Sequence, residues 1–316
     1  MRTITALFVG LGSIGTRHLK NLANLCADRG WTLQADALRS DLTRPLRPGA
    51  AELLHAQYTD LTAAPAHYDM VFITNPTSLH AEALRQVKGR GEALFIEKPI
   101  FSAEQTGLAL ADYLPAGQKA YVAAPMRWCG VMLALKELLP ALHPYCARVI
   151  CSSYLPDWRP GVDYRTVYSA RKALGGGVTI DLIHEWDYLV ELFGVPEKLY
   201  NFKGTYSELE IDSDDLSVYI AKYPTLLAEV HLDYFGRGYR RSIELFCRDG
   251  SYLADFGKGT LTLPDGTVQH YEEDVNRRYE REMEYFVDYA LTGCGESCNP
   301  PALALKVLKL TLGENV

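Results

Sequence analysis

The chain has 316 residues, of which 48% are hydrophobic and 22% are charged, and its formal net charge is −7. This length is typical of two domains, and the composition is that of a globular protein with enough apolar sequence for two cores. The negative charge disfavours a nucleic-acid-binding surface, and no apolar run approaches the roughly 20 residues that a membrane-spanning helix needs. The N-terminus enters a predicted strand without the pattern of a signal peptide, so we expect a cytoplasmic protein that binds neither nucleic acid nor membrane.

The seven cysteines are spread along the chain, and Cys294 and Cys298 form the one close pair, with no histidine nearby. A structural zinc site needs four ligands, usually from two such clusters. We therefore predict reduced thiols and no metal.

From residue 1 to about residue 122, short apolar runs alternate with helical patterns. The predicted strands are 4–9, 33–38, 70–74, 93–97 and 120–124, and the predicted helices are 16–29, 49–56, 78–88 and 102–114. Strands that alternate with helices form parallel βαβ units. We therefore predict an α/β fold in which residues 1–122 form a doubly wound parallel sheet, with residues 41–48 as a surface loop.

After about residue 125 the pattern changes to extended runs separated by turns. The predicted strands are 148–154, 217–223, 226–235, 242–247, 251–255, 260–263 and 267–271, and the predicted helices are 129–139, 178–193, 276–291 and 301–312. The dipeptides Asp249-Gly250 and Asp265-Gly266 favour hairpins. Residues 123–316 are thus predicted to form an α+β domain with a mostly antiparallel sheet, with the option that the last helix packs back on the first domain.

Glycines at positions 10, 12 and 15 have the spacing of a dinucleotide-binding loop between a strand and a helix. Gly10 allows a tight turn, Gly12 lets the backbone approach a pyrophosphate, and Gly15 lets the helix pack on its strand. The helix N-terminus, with Ser13 and Ile14, then faces the phosphates. A purely structural glycine turn is the alternative.

The next predicted strand reads Leu33 to Leu38 and is followed by Arg39 and Ser40. An acidic residue at this strand end binds the ribose of NAD, and Asp36 would serve if it reached the edge. Arg39 and Ser40 lie closer to that edge, and a guanidinium beside a hydroxyl suits the 2′-phosphate of NADP. The sequence therefore predicts NAD(P) with NADP favoured, the alternative being that Arg39 is an exposed loop residue.

Two further strand ends carry polar residues at the edge where an open parallel sheet binds its ligand. The first is Thr74-Asn75-Pro76, followed by His80 in the first turn of a helix, where a histidine is at best a cofactor-side contact. The second is Glu97-Lys98-Pro99, in which proline holds Lys98 extended and permits a cis peptide. A lysine there can hydrogen-bond a substrate hydroxyl or carbonyl, although a strand-end lysine is often only solvent-exposed.

The motifs Gly10–Gly15, Asn75-Pro76…His80, Glu97-Lys98-Pro99 and Gly175-Gly-Gly…Asp181…His184 occur in this order. With them essentially the whole chain resembles the glucose-fructose oxidoreductase/inositol dehydrogenase (Gfo/Idh/MocA) family. The resemblance implies a Rossmann domain, then an α+β domain with a large open sheet, and reversible oxidation of a sugar or polyol hydroxyl by a tightly held nicotinamide cofactor. It also implies Lys98 and His184 as the acid–base pair, Asp181 beside them, and a dimer or tetramer. The predicted cofactor contacts are Gly10, Gly12, Ser13, Ile14, Gly15, Arg39, Ser40, Thr74, Asn75, Pro76, His80, Glu97 and Lys98.

The chain departs from the family in one spacing, because Asp181 and His184 are three residues apart instead of four. On one continuous helix, Asp181, His184 and Tyr188 would still share a polar stripe, apart from an apolar stripe that includes Trp186. Alternatively, Glu185 occupies the usual histidine position.

The loop from residue 157 to residue 172 interleaves arginines with aromatic residues. Arginines can grip a carboxylate or phosphate, and aromatic rings can stack on a sugar. We predict Arg165, Tyr168 and Lys172 as substrate contacts together with Asp181 and His184, the alternative being a solvated loop anchored by its aromatic residues.

The sequence thus predicts an oxidoreductase that acts on a secondary hydroxyl of a sugar, sugar derivative or cyclic polyol. Two rivals remain open: a non-enzymatic regulator that binds the dinucleotide, and a hydrolase or lyase that oxidises its sugar transiently.

Overall fold

The computed structural model describes residues 2–316, and its first sheet has six parallel strands in the order β3-β2-β1-β4-β5-β6. These strands are β1 (Thr3–Val9), β2 (Thr32–Leu38), β3 (Leu54–Tyr58), β4 (Tyr68–Ile73), β5 (Gly91–Ile96) and β6 (Lys119–Val122). The helices of this region are α1 (Ser13–Asp28), α2 (His80–Gln86) and α3 (Leu110–Tyr113). The strand order reverses at β1, so the carboxyl ends of β1 and β4 mark the switch point where such sheets bind ligands. The predicted doubly wound sheet is confirmed.

The second sheet has eight strands in the order β14-β13-β12-β11-β7-β10-β9-β8. They are β7 (Cys146–Tyr154), β8 (Lys198–Gly204), β9 (Leu216–Lys222), β10 (Leu227–Asp233), β11 (Phe235–Cys247), β12 (Gly250–Asp255), β13 (Thr260–Thr262) and β14 (Val268–His270). The remaining helices are α4 (Gly130–Leu138), α5 (Val178–Asp181), α6 (His184–Phe193), α7 (Val275–Thr292) and α8 (Pro301–Thr311). Within this sheet β7 and β10 pair in parallel and the other neighbours pair antiparallel. The predicted α+β region with a large, mostly antiparallel sheet is confirmed.

The chain divides into two compact units. The first extends to Pro125 and includes Tyr279–Leu305, and the second consists of Met126–Arg278 and Lys306–Val316. The division passes through α7 and α8, so each of these helices contributes residues to both units.

The core of the first unit is aromatic. Phe8, Phe72 and Phe95 occupy matching positions on three adjacent strands, and Phe286 of α7 meets two of these rings edge-on. The rings of Phe8 and Phe72 stack with their centroids 4.4 Å apart. Rings that stack across neighbouring parallel strands fix the strand register, and with it the level at which the three strands end.

Three helix predictions are wrong. Residues 49–56 form a short 3-10 turn and then β3, because the edge of β2 offers a hydrogen-bonding ladder that the segment takes up, with Asp36 opposite Ala56. Residues 102–114 form a 3-10 turn and the short α3. The predicted helix 178–193 is interrupted between α5 and α6. Strand β8 was not predicted.

All seven cysteines are free, and no cluster of three or more potential metal ligands occurs among the described residues. No helix within residues 2–316 combines the length and apolarity needed to cross a membrane.

Candidate functional site

The glycine loop is pressed against the end of β4. Gly10 has φ +88°, and a Cβ atom on it would lie 2.8 Å from Cα of Asn75. A Cβ on Gly15 would lie 2.6 Å from both the Gly10 carbonyl oxygen and Thr74 Oγ1. Only glycine therefore fits at positions 10 and 15 without a shift of the backbone.

Gly12 lies at the open side of the same loop. It is the N-cap of α1, it is exposed, and nothing lies within 4 Å of a Cβ built on it. No acidic side chain stands in the first turn of α1, where Ser13 and Ile14 follow. The free amides of this helix N-terminus and the open space beside Gly12 form a cradle that suits a pyrophosphate.

The residues after β4 join this loop to the strand end. The Thr74 amide donates to the Val9 carbonyl over 3.0 Å, and its hydroxyl donates to the Gly10 carbonyl over 2.5 Å. Asn75 Oδ1 is buried and finds no hydrogen-bond partner within residues 2–316. A buried acceptor without a donor fits a site whose ligand supplies one. Pro76 then leads into a 3-10 turn before α2.

The end of β2 carries Arg39 as predicted. Its guanidinium donates to Gln57 Oε1 over 2.7 Å and to the Arg44 carbonyl over 2.5 Å, beside a cleft of about 410 Å³ that Arg44 and Arg47 also line. Ser40 is exposed next to it. Asp36 is buried inside the strand, where it accepts a hydrogen bond from the Tyr68 hydroxyl over 2.8 Å. Asp36 is therefore committed to the fold and does not reach the ribose position.

Glu97 and Lys98 follow β5 at the same edge of the sheet. The Glu97 amide donates to the Ile73 carbonyl over 2.9 Å, and the Lys98–Pro99 peptide is cis. Glu97 Oε1 lies 2.6 Å from His18 Nε2, and Oε2 accepts the Lys98 amide over 3.1 Å. Burial opposes the charged form of Glu97, but the hydrogen bond to His18 and the charge of Lys98 hold its pKa below the usual value.

His80 is completely buried at the start of α2. Its ring nitrogens lie 3.2 Å from the Ile100 carbonyl oxygen and 3.1 Å from the Asn75 carbonyl oxygen. The predicted direct contact with a cofactor is therefore wrong in its geometry, because the ring is enclosed and both nitrogens face backbone. His80 instead links the loop after β4 to the segment after Lys98.

In the second unit, Asp181 and His184 do not lie on one continuous helix. Asp181 ends α5, a two-residue turn follows, and His184 begins α6. The predicted polar stripe is wrong, because Tyr188 is fully buried in α6.

Glu185 is not an alternative to His184. Its carboxylate is fully buried, and it accepts two hydrogen bonds from the Arg241 guanidinium, over 2.7 and 3.0 Å. The carboxylate of Glu185 is thus engaged with Arg241 in the interior of the fold.

Asp181 is surrounded by tyrosines. The Tyr234 hydroxyl donates to Asp181 Oδ2 over 2.6 Å, and Trp158 meets the Tyr234 ring edge-on, with centroids 5.2 Å apart. Burial first, and then the neighbouring Asp181 charge, raise the pKa of Tyr168. Tyr168 is thus a predicted substrate contact that the fold brings to Asp181, whereas Tyr234 was missed because nothing in the sequence separates it from an ordinary core tyrosine.

Two arginines of the loop pair with carboxylates. Arg165 donates to Asp163 over 2.9 Å and to Glu210 over 3.1 Å, and the Arg171 guanidinium lies 3.8 Å from Asp212. The Lys172 side chain is exposed. An arginine with two carboxylate partners is poorly suited to grip an anionic substrate, so the predicted role of Arg165 loses its basis.

The parallel sheet, its switch point and the glycine cradle define a dinucleotide-binding Rossmann domain. Residues 4–121 match the Gfo/Idh/MocA family, described as an oxidoreductase family with an NAD-binding Rossmann fold. This match confirms, over residues 4–121, the resemblance seen in the motifs of the chain.

The similarity to known proteins also covers the second unit. An uncharacterized oxidoreductase, YrbE, of Bacillus subtilis (strain 168) is 24% identical over 308 residues, which cover 91% of this chain and 86% of that protein. Inositol 2-dehydrogenase of Rhizobium meliloti (strain 1021) is 26% identical over 200 residues, covering 61% and 56%. The solved structure of levoglucosan dehydrogenase in complex with NADH superposes with a TM-score of 0.83 at 15% identity, covering 99% of this chain and 96% of that one.

Proposed function

We propose that the chain reversibly oxidises a secondary hydroxyl of a sugar, sugar derivative or cyclic polyol, with Lys98 and His184 as its acid–base pair. The observation that carries the proposal is the placement of Lys98 directly after β5, on the sheet edge that also holds the glycine cradle. Two similar proteins are named for the oxidation of levoglucosan and of inositol, which supports a carbohydrate or polyol substrate.

The side chains divide the work of proton transfer. A bound nicotinamide supplies the hydride acceptor. Either His184 takes the hydroxyl proton while the Lys98 ammonium donates a hydrogen bond to the substrate oxygen and stabilises the negative charge that develops there, or Lys98 takes the proton as its neutral amine. Asp181, held by Tyr234, orients the substrate through its free carboxylate positions.

The carboxylates around Arg165 and Tyr168 favour an uncharged substrate. Arg165 is neutralised by Asp163 and Glu210, and Asp181 adds a carboxylate near Tyr168. Carboxylates and tyrosine hydroxyls bind sugar hydroxyls well, whereas they repel a phosphate or carboxylate group. We therefore place Tyr168 and Asp181, and not Arg165, among the substrate contacts.

The cofactor of this proposal is NADP. Arg39 and Ser40 follow β2 at the position of the ribose, and the arginine-lined cleft beside Arg39 suits a 2′-phosphate. We expect NADPH to bind at least about tenfold more tightly than NADH, the scale of one charge-assisted contact. Arg39→Gln should remove that preference, and fluorescence titration with both nucleotides measures it. A clear NADH preference in the unaltered protein would contradict this assignment.

The proposed partner is a second copy of the chain. The outer face of the eight-stranded sheet exposes Tyr200, Phe202 and Ile220, and the adjacent Arg148 and Glu229 offer both signs of charge to a symmetric partner. A homodimer or homotetramer would cover these side chains. Light scattering should show a multimer that Phe202→Glu weakens, and a monomer at micromolar concentration would contradict the proposal.

The acid–base roles are tested with Lys98→Met and His184→Ala. Levoglucosan, inositol and related polyols serve as candidate substrates, and hydride transfer is followed by nicotinamide absorbance. Each substitution should lower turnover about 10²–10⁴-fold, the usual contribution of general acid–base catalysis. Wild-type turnover in Lys98→Met would refute the mechanism. Turnover without any net absorbance change would favour transient oxidation, and nucleotide binding without any turnover would favour a regulator.

A further inference from the structure

We propose that two buried histidines, His18 and His80, are positioning residues that hold the Lys98 segment from opposite sides. The inference rests on the proposed role of Lys98, but its geometry can be tested without a substrate. Both imidazoles are completely buried within the first unit, so neither can touch a bound substrate.

His18 connects the cofactor helix to Lys98 through Glu97. It lies on α1, three residues after Gly15, and its Nε2 is 2.6 Å from Glu97 Oε1. A carboxylate only accepts, so Nε2 carries the proton of this bond. The other Glu97 oxygen accepts the amide of Lys98 itself. A bond from α1 to the carboxylate thus fixes the backbone at the proposed catalytic residue.

Among the described residues, Glu97 is the one hydrogen-bond partner of the His18 ring. Its Nδ1 is buried, and no hydrogen-bond partner for it occurs within residues 2–316. The ring packs against Phe95 and Tyr279, with centroids 4.7 and 6.1 Å away. Both ring nitrogens of a buried histidine with a purely structural role are normally hydrogen-bonded. In His18 one nitrogen has no partner and the other makes a short hydrogen bond to Glu97, so holding Glu97 is the role that the geometry indicates for this residue.

His80 holds the other end of the segment. Its nitrogens face the carbonyl oxygens of Ile100, two residues after Lys98, and of Asn75 in the loop after β4. Burial lowers the pKa of His80, and hydrogen bonding of its ring to backbone carbonyls opposes the shift. The titratable groups around Glu97 are His18 from α1, His80 from α2 and Lys98 from its own segment. A neutral imidazole has one N–H, so His80 donates to one of the two carbonyls and packs against the other, which joins the loop after β4 to the Lys98 segment.

We expect the two histidines to affect the reaction rate through the position of Lys98. A misplacement of about 1 Å at a reacting group can cost about a hundredfold in rate. Without His18, Glu97 would lose one of the two interactions that oppose the effect of burial on its charged form, and the Lys98 backbone would lose its link to α1. Without His80, the loop after β4 would lose its link to Lys98.

The first experiment compares His18→Leu, His18→Gln and Glu97→Gln. An amine-acylating reagent modifies the folded protein, and peptide mass spectrometry gives the rate at Lys98 relative to the exposed Lys172. We expect His18→Leu and Glu97→Gln to change the rate of Lys98 labelling several-fold, because the hydrogen bonds that fix the backbone at Lys98 are lost, whereas His18→Gln keeps a donor to Glu97 and should match the parent.

The second experiment compares His80→Leu with His80→Gln, which keeps one donor and guards against loss of folding. His80→Leu should weaken NADPH or NADH binding and alter Lys98 labelling together, and His80→Gln should do so less. Parent-like labelling in His18→Leu, or parent-like labelling and binding in His80→Leu, would overturn the inference. Lys98→Met tests the proposed function separately, since its effect on hydride transfer does not depend on either histidine.

Discussion

At the scale of single residues, Gly12 and Gly15 lie three positions apart in the same loop, but glycine is needed at the two positions for different physical reasons. A Cβ atom on Gly15 would collide with the Gly10 carbonyl and the Thr74 hydroxyl, so this glycine is required by the folded chain itself. Gly12 has an ordinary negative φ of −70°, and a Cβ atom built on it would project into open space. The lack of a side chain at Gly12 therefore matters only when a ligand approaches the loop.

This difference predicts opposite behaviour of two alanine variants. Gly15→Ala should destabilise the protein by about 1–3 kcal/mol, the usual cost of overpacking, whether or not nucleotide is present. Gly12→Ala should leave the unfolding midpoint of the nucleotide-free protein unchanged and weaken nucleotide binding at least about tenfold, because its methyl group occupies the cradle. Denaturant unfolding and fluorescence titration measure the two effects. Nucleotide binding by Gly12→Ala at the parent affinity would place the pyrophosphate elsewhere.

The sequence was sufficient for residues whose position follows from a strand end. Gly10 follows a predicted strand and Thr74 and Glu97 end predicted strands, and parallel strands bring such positions to one edge. It was insufficient for His18, Asp36 and Tyr234, because their roles depend on hydrogen-bond partners that lie far along the chain. Arg165 illustrates the same limit from the other side, since its partner Glu210 is 45 residues away.

At the scale of elements, hydrophobic periodicity predicted the wrong secondary structure where contacts with distant segments outweigh the local preference of the chain. Residues 54–56 lie in a predicted helix, but they form the first part of β3, because the edge of β2 offers them a hydrogen-bonding ladder. The start of α5 is fixed from outside, because Asp214 accepts the Thr179 amide over 2.9 Å and lies where a Cβ on Gly177 would point. Neither partner is local in sequence.

Helix α6, which carries His184, is anchored by a buried ion-pair network. Arg127 donates two hydrogen bonds of 2.8 Å to Asp187 and one of 2.6 Å to Glu191, and Lys136 pairs with Glu191 as well. The Arg127 side chain is 2% exposed. Removal of one member of such a network leaves charges buried without compensation.

We therefore predict that Arg127→Met destabilises the protein by about 3–5 kcal/mol, the usual cost of breaking a buried ion pair. Arg165→Met is the matched control, because Arg165 also has two carboxylate partners but is solvent-exposed, and exposed pairs contribute little. Unfolding midpoints in urea measure both. Equal midpoints for the two variants would show that the Arg127 network does not stabilise α6.

At the scale of the whole molecule, each unit contains a buried carboxylate that must stay charged. Burial opposes the charged form of Asp233 in the second unit, but hydrogen bonds from His231, Ser152 and the Gly236 amide hold its pKa below the usual value. Glu97 behaves in the same way in the first unit. The buried His80, whose pKa is also lowered, must stay neutral. All three groups bind a proton less readily in the folded chain than in the unfolded one.

The lowered pKa values of Glu97, Asp233 and His80 determine how the stability of the fold changes with pH. A group with a lowered pKa stabilises the fold above its unfolded pKa, and this contribution is lost as the pH falls towards the folded pKa. Stability should therefore decline from about pH 6.5 through His80 and more steeply below about pH 4.5 through Glu97 and Asp233. His80→Gln should flatten the upper part of the curve, and Glu97→Gln and Asp233→Asn the lower part, whereas the exposed Asp60→Asn should change its slope little because solvent screens that carboxylate. Thermal unfolding from pH 7 to pH 3 measures the curve, with the pH values chosen to span the reference pKa values of these groups. If the melting temperature stays constant over this range, the three buried groups do not contribute to folding in the way that their surroundings indicate.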